Sequence, residues 1–143
     1  MIVLLVRHAR AGDREAWEGD DRLRPLDEKG RKQAEGLVAL LADYPVERLL
    51  SSPFVRCTQT LEPLAAARGL EVEEAPELAE GSTSEDVMRL VRSLHDGCVA
   101  LSTHGDVVEE VLADGLKKGA TEVLVLEEEG LRRVEHLDPP RSA

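Results

Sequence analysis

The chain begins with a short apolar run, Ile2-Val3-Leu4-Leu5-Val6, which is followed at once by Arg7-His8. A run of this length that contains β-branched residues is typical of a strand buried on both faces. The same arrangement recurs later, where Cys98-Val99-Ala100-Leu101-Ser102 leads into Thr103-His104-Gly105. Both segments are therefore predicted to be interior strands of a sheet that helices cover on each side.

The rest of the sequence alternates between strand-like and helix-like patterns. We predict helices over about 27–43, 51–68, 82–94 and 106–112, and further strands over 46–50, 70–74, 122–126 and 131–136. The last two strands flank Glu128-Glu129-Gly130 and are predicted to form a hairpin or strand pair. Pro63 is expected to kink the second helix. The alternation predicts an α/β fold, a three-layer α/β/α sandwich with a mostly parallel sheet, as a single domain over residues 1–143.

Two segments lie outside this alternation. Residues 9–27 have the composition of a long loop, and a loop of that length in a compact domain is usually functional. It carries the chain's single tryptophan, Trp17, and is either a lid over a site or a segment that Trp17 anchors to the surface. The tail after Leu137 is expected to be loose.

The overall charge narrows the possible partners. The formal net charge is −11, and 33% of the residues are charged. Such a balance disfavours binding to nucleic acid and to anionic membranes, which both require a basic surface. The apolar runs are too short to cross a bilayer, and the first residues lack the pattern of a signal peptide, so a cytoplasmic location is expected. Cys57 and Cys98 are accordingly predicted to be reduced, buried thiols.

Four residues are predicted to converge at one edge of the sheet. Ligands of such sheets bind at the carboxyl ends of the strands, where Arg7, His8 and His104 stand. A third strand leads through Ser51-Ser52-Pro53 to Arg56 near the first turn of a helix. The convergence of these side chains predicts a common site.

The chemistry of these residue types favours a phosphoryl group. Guanidinium groups match phosphoryl oxygens with paired donors. A histidine can attack phosphorus in line and pass the group to water, and a second histidine, if protonated, can stabilise the oxygens as charge develops. We therefore predict that His8 is a nucleophile that takes up a phosphoryl group.

Metal binding is the main alternative use of the two histidines. Carboxylates would be needed beside them, and the candidates are Asp13, Asp20, Asp21 and Asp106. Two arginines in the same site argue against this alternative, because they would repel a cation.

Four segments, in order along the chain, resemble one family. Leu5-Val6-Arg7-His8-Ala9 is similar to the signature of the histidine phosphatase superfamily, also called the phosphoglycerate mutase-like family. The segments Arg24 to Ala34, Ser51 to Thr60 and Ser102 to Val107 resemble its first loop and helix, its second arginine motif and its second histidine motif. Together these matches cover nearly the whole chain.

The resemblance implies a role for each site residue. His8 would be the phosphorylated nucleophile, and Arg7, Arg56 and His104 would hold the phosphate. Glu80, in Leu78-Ala79-Glu80-Gly81, would protonate the leaving group, with Glu77 as the alternative. The family also implies a three-layer fold and no metal or other cofactor.

Two departures from the common pattern indicate a branch. Ala9 replaces the usual glycine of the signature, and the chain is too short for the segments that enclose a phosphosugar in mutases. These features resemble the small SixA-type phosphohistidine phosphatases. The expected partner is a phosphorylated substrate, either a protein phosphohistidine or a small phosphomonoester. A catalytically silent phosphate-binding module is the alternative function.

Overall fold

Six strands form one sheet in the computed structural model, which describes residues 1–94 and 96–141. The strands are β1 (Ile2–Arg7), β2 (Arg48–Ser51), β3 (Val72–Glu74), β4 (Cys98–Thr103), β5 (Thr121–Glu127) and β6 (Gly130–Leu137). Their order across the sheet is β3-β2-β4-β1-β5-β6. The strand β1 thus lies in the interior, between β4 and β5.

The first four strands of this order run parallel to one another. Strand β5 runs antiparallel to β1, and β6 runs antiparallel to β5. The register pairs Leu5 with Leu101 and Arg7 with Thr103, so β1 and β4 end side by side. Strand β2 pairs with β4 so that Ser51 lies opposite Ser102. This registration brings the carboxyl ends of β1, β2 and β4 to one edge, as the sequence predicts.

Helices cover both faces of the sheet. The described residues form α1 (Glu28–Leu40), α2 (Val55–Arg68), α3 (Ser84–Ser93) and α4 (Gly105–Leu112). Leu4 and Val6 of β1 face the cluster that includes α1 and α2, whereas Val3 and Leu5 face the cluster that includes α3 and α4. Alternate side chains of a strand point to opposite faces, so β1 contributes to two cores at once. The predicted three-layer α/β/α fold is confirmed.

Several boundaries differ from the prediction. Ser51 ends strand β2, and α2 begins only at Val55, because Phe54 is still extended at the helix N-cap. Pro63 lies inside α2 as predicted, and the kink expected there stays a prediction. The tail predicted to be loose instead places Pro140 against α1, where a side chain at Gly36 would collide with the proline ring.

The segment 9–27 is packed onto the domain rather than extended from it. Ala9, Ala11 and Leu26 form a small buried cluster with Ala34 of α1. Gly30 allows this close approach, because a Cβ there would overlap the carbonyl oxygen of Arg10. The helix cap fixes the segment further, since Asp27 accepts hydrogen bonds from the backbone N–H groups of Gly30 and Gly12.

Within the described part of the chain, no helix combines the length and the apolar character that crossing a membrane requires.

Candidate active site

His8 lies just beyond the end of β1, and its ring has a defined tautomer. Its backbone N–H donates to the carbonyl oxygen of Thr103, which continues the ladder between β1 and β4. The ring Nδ1 lies 2.7 Å from the carbonyl oxygen of Ala9. A carbonyl oxygen only accepts, so Nδ1 carries the proton and Nε2 of the neutral ring carries a lone pair. His8 thus has the tautomer that a nucleophilic Nε2 requires.

The electrostatic surroundings keep this lone pair free of a proton. Burial lowers the pKa of His8 to about 3, and the nearby charges of Arg56 and Arg7 and the ring of His104 act in the same direction. The hydrogen bond to Ala9 opposes this shift only in part. At neutral pH the ring is therefore uncharged and able to attack an electrophile.

Arg7 is held from one end of its guanidinium group. Its Nη1 donates to the carbonyl oxygen of Leu116 at 2.6 Å, whereas its Nε is buried without a hydrogen-bond partner among the described residues. Gly105, the first residue of α4, makes room for this group, since a Cβ there would lie 2.9 Å from Arg7 Cζ. An unpartnered buried donor on a cation is the group that an anion would satisfy.

Arg56 is completely buried on the first turn of α2. Its Nη1 donates to the backbone carbonyl of Asp21 at 2.8 Å, and its Nη2 donates to Asp21 Oδ2 at 3.0 Å and Glu80 Oε1 at 3.1 Å. Its Nε is the second buried guanidinium donor without a partner in the described residues. Arg56 therefore has the same kind of free donor as Arg7.

His104 directly follows β4 and is the N-cap residue of α4. The ring centroids of His8 and His104 lie 5.6 Å apart. His104 Nε2 lies 2.8 Å from Ser52 Oγ, and its Nδ1 lies 3.7 Å from Glu80 Oε1. Burial, followed by the charge of Arg56, lowers the pKa of His104 to about 4. Without a bound anion the ring is thus neutral at pH 7, so a phosphoryl group would have to bring the proton or raise this pKa.

Glu80 reaches the site, as its predicted role requires. Its Oε1 accepts from Arg14 Nη2 at 2.8 Å as well as from Arg56. Glu77 lies in the short turn Pro76–Leu78, and it is Glu80 that lines the cleft. Of the two glutamates predicted as candidates for the general acid, the structure places Glu80 beside His104.

The site opens into a cleft of about 970 Å³. Its lining comprises Arg7, His8, Gly12, Asp13, Arg14, Arg24, Glu80, Gly81, His104, Gly105, Asp106, Glu109, Gly115 and Lys118. Arg56 lies beneath this surface, where its Nη2 contacts Glu80 and Asp21. The four residues predicted to converge, together with Glu80, therefore belong to one assembly.

Sequence reasoning missed Arg14 and Lys118 in this assembly, and it named Asp21 only as a possible metal ligand. Asp21 holds Arg56 and also accepts from Arg24 Nε at 2.9 Å. Arg14 binds Glu80, and Lys118 lines the cleft from the segment before β5. Arg14 and Asp21 stand in single 3-10 turns and Lys118 in the segment before β5, and elements this short have no periodicity that predicts which way a side chain points.

The carboxylates considered as metal ligands form ion pairs or hydrogen bonds with other groups of the protein. Asp21 pairs with Arg56 and Arg24, and Asp106 accepts from the backbone N–H of Gly81 at 2.8 Å. Asp20 pairs with Arg22 at 2.6 Å. In residues 1–94 and 96–141, no three histidine, cysteine or acidic side chains are grouped so that they could hold a metal ion.

Two other side chains were named from the sequence. Cys57 is a buried free thiol whose Sγ lies 3.5 Å from His104 Nε2, and burial raises its pKa to about 12. Trp17 is 38% exposed, and its Nε1 donates to the carbonyl oxygen of Asp20 within the same loop. The indole therefore braces the loop internally.

Comparisons with known proteins agree with this arrangement. The sequence profile of the histidine phosphatase superfamily (branch 1) matches residues 3–85. An 8-oxo-(d)GTP phosphatase of Mycolicibacterium smegmatis is 36% identical over 96% of this chain. The chain spans only 48% of the length of that relative.

Solved structures show the same fold. The protein histidine phosphatase SixA, solved with tungstate, superposes with a TM-score of 0.83 at 24% identity and covers 97% of both chains. A protein from Agrobacterium tumefaciens that is provisionally assigned as phosphohistidine phosphatase SixA gives a TM-score of 0.78 at 27% identity. The alignment with it covers 96% of this chain and 98% of that one.

Proposed function

Because the chain belongs to the histidine phosphatase superfamily, we propose that it is a metal-independent phosphatase in which His8 takes up the phosphoryl group. The observation that carries this proposal is the tautomer and the protonation state of the His8 ring. Its Nδ1 is bound to the Ala9 carbonyl, which leaves a proton-free Nε2 close to two arginines.

The first chemical step follows from these positions. His8 Nε2 attacks phosphorus, a P–N bond forms, and the bond from phosphorus to the leaving group breaks with its electron pair going to that group. The unpartnered Nε–H groups of Arg7 and Arg56 donate to the phosphoryl oxygens as charge spreads over them. Water then attacks the phosphohistidine, which releases inorganic phosphate and restores His8.

Glu80 bears on which leaving groups are suitable. Its Oε1 accepts from two guanidinium groups, so this oxygen is engaged as an acceptor rather than as a proton donor. An alkyl phosphate ester needs a donated proton more than a phosphohistidine does, since the imidazole leaves readily. The arrangement therefore favours substrates with a good leaving group.

Two substrate classes follow from these considerations and from the relatives. The fold shared with SixA supports a protein phosphohistidine. The similarity to an 8-oxo-(d)GTP phosphatase supports a small phosphorylated molecule. A side-by-side assay on a phosphorylated histidine-containing phosphotransfer domain and on a panel of small phosphates distinguishes the two.

The central test uses a chromogenic phosphomonoester in the presence of EDTA. We expect His8→Ala to lower kcat by at least about 10³-fold, because the nucleophile is lost. The same variant should no longer form an acid-labile, alkali-stable phosphoenzyme. His136→Ala is the matched control, since this histidine lies on β6 outside the cleft. Undiminished turnover by His8→Ala would refute the proposal.

The alternative of a silent phosphate-binding module makes the opposite prediction for turnover. Such a module would bind phosphate but release no product from any substrate tested. A variant at Arg56 distinguishes the phosphatase from the binding module, because the buried guanidinium group would both bind phosphate and stabilise the transition state. Turnover that is detectable in the parent and abolished by Arg56→Ala excludes the module.

A further inference from the structure

Lys118 is fixed beside the nucleophile by its backbone. The next residue, Gly119, donates its N–H to the carbonyl oxygens of Arg7 at 3.0 Å and His8 at 3.1 Å. The carbonyl of Lys118 itself accepts from Gln33 Nε2 at 3.3 Å. From this anchored position the side chain of Lys118 lines the cleft together with His8.

The charges around Lys118 are mostly of its own sign. Burial lowers the pKa of Lys118, and Arg7, Arg24 and Arg10 lower it further, whereas Asp27 opposes them. Among the described residues, Lys118 takes part in no ion pair, although Arg24 and Arg56 are both paired with Asp21. A lysine placed among like charges without a carboxylate partner is a group that a bound anion would stabilise.

The cleft lining carries charges of both signs. We use the name basic wall for three of its cations, Arg7, Arg24 and Lys118. Glu80, Asp106 and Glu109 also line the cleft and supply negative charge. Within the basic wall Arg24 is paired with Asp21, so among the described residues Lys118 is a cation that remains available to a bound anion.

A single phosphoryl group does not use this whole wall. The free Nε–H donors of Arg7 and Arg56 suffice for the group that His8 attacks. Lys118 is an additional cation in the lining of the same cleft. A substrate with a second phosphoryl group linked to the first would bring negative charge to Lys118.

We propose that the part of the basic wall at Lys118 is a second phosphoryl subsite beside the one that Arg7 helps to form, with Lys118 as its specificity-determining residue, and that the substrates are small molecules with two or more linked phosphoryl groups. This inference rests on the proposed function of His8. His8 Nε2 would attack the terminal phosphorus and form a P–N bond, and the P–O bond of the anhydride would break. The remaining phosphate chain would leave with the electron pair as an anion, a leaving group that needs little help from Glu80.

The kinetic test compares AMP, ADP and ATP, which share one nucleoside and differ only in the phosphate chain. Phosphate release is measured in EDTA for the parent and for Lys118→Ala. The control is Lys117→Ala, because Lys117 is exposed and does not belong to the cleft lining. We expect ADP and ATP to exceed AMP in kcat/KM at least about fivefold in the parent, because the anhydride has the better leaving group and Lys118 adds one charge contact. Lys118→Ala should lower kcat/KM for ADP and ATP about fivefold and leave that for AMP unchanged, while Lys117→Ala and Lys118→Arg should retain the values of the parent.

A binding test separates this inference from the catalytic proposal. Calorimetric titration of His8→Ala with inorganic phosphate and with tripolyphosphate measures the subsite without turnover. Tripolyphosphate should bind more tightly than phosphate, and adding Lys118→Ala should remove the difference. Equal affinity for the two anions, or an equal loss for AMP and ATP in Lys118→Ala, would overturn the subsite and leave the role of His8 intact. Turnover of a protein phosphohistidine alone, unaffected by Lys118→Ala, would also overturn it.

Discussion

At the scale of single residues, His8 links catalysis to stability. The ring is neutral in the folded protein because its pKa is about 3, whereas the unfolded chain has the ordinary value of 6.5. Between pH 6.5 and about pH 3, the His8 ring is protonated in the unfolded chain but stays neutral in the folded protein. The stability contributed by a neutral His8 is therefore complete above 6.5 and is lost progressively as the pH falls toward 3.

This linkage gives a measurable prediction. Between pH 7 and pH 5, the titration of His8 alone should remove about 2 kcal/mol from the free energy of unfolding. His8→Asn, which cannot titrate, should show a pH dependence smaller by that amount in denaturant unfolding. His136→Asn is an informative comparison, because the contact with Glu122 raises the pKa of His136 and gives it the opposite sign. Parallel pH profiles for the parent and His8→Asn would contradict the lowered pKa.

The same residues show what sequence can predict about a site. His8, Arg7 and His104 follow directly from the rule that ligands bind at the carboxyl ends of parallel strands. Asp21 was considered only as a metal ligand, whereas it binds Arg56. Its partner lies 35 positions away, and the contact depends on the path of an irregular loop that no sequence pattern specifies.

At the scale of elements, Gly30 controls how the segment 9–27 meets α1. A Cβ at this position would overlap the backbone oxygen of Arg10, which cannot rotate away as a side chain could. We expect Gly30→Ala to destabilise the fold by about 2 kcal/mol, despite the better helix propensity of alanine. The midpoint of urea unfolding measures this.

A second glycine provides the control for this experiment. At Gly115 an added Cβ would meet only Glu109 Oε1, at 3.9 Å. Gly115→Ala should therefore leave the unfolding midpoint nearly unchanged. If Gly30→Ala and Gly115→Ala shift the unfolding midpoint equally, the close approach of α1 to Arg10 does not require a glycine at position 30.

The boundary between β2 and α2 was predicted wrongly because of contacts with distant parts of the chain. The serines before Pro53 resemble a helix start, yet Ser51 pairs with β3 and β4, so the sheet retains it. Ser52 then uses its hydroxyl on His104 rather than as a helix cap. Tertiary pairing overrides a local capping signal here, and such pairing is invisible in a single segment.

At the scale of the whole molecule, the excess of negative charge should destabilise the folded state. With a formal net charge of −11, self-repulsion in the compact form exceeds that in the expanded chain. Raising sodium chloride from low to moderate concentration should screen this repulsion. We expect the Tm to rise by roughly 2–4 °C, which corresponds to about 1 kcal/mol for a chain of this size.

The choice of salt matters for this measurement. Sulfate would be a poor probe, because it could bind at the phosphate site and stabilise the protein by mass action. A Tm that falls with sodium chloride would show instead that surface ion pairs such as Arg48 with Glu73 outweigh the repulsion.

The three-layer fold was predictable because it depends on patterns that recur along the whole chain. Each buried strand is a continuous apolar run, and each helix has an apolar stripe at helical spacing. The strand order was not predictable in the same way. It places β4 between β1 and β2, and this crossover depends on packing between segments that are far apart in sequence.

The position of Trp17 has a practical consequence for optical work on this protein. It is the chain's single tryptophan, is partly exposed, and lies three residues beyond Arg14, whose side chain binds Glu80 at the mouth of the cleft. Ultraviolet emission from the native, unlabelled protein thus originates from one known point on the loop. Stopped-flow fluorescence can therefore follow the loop in real time without an attached dye.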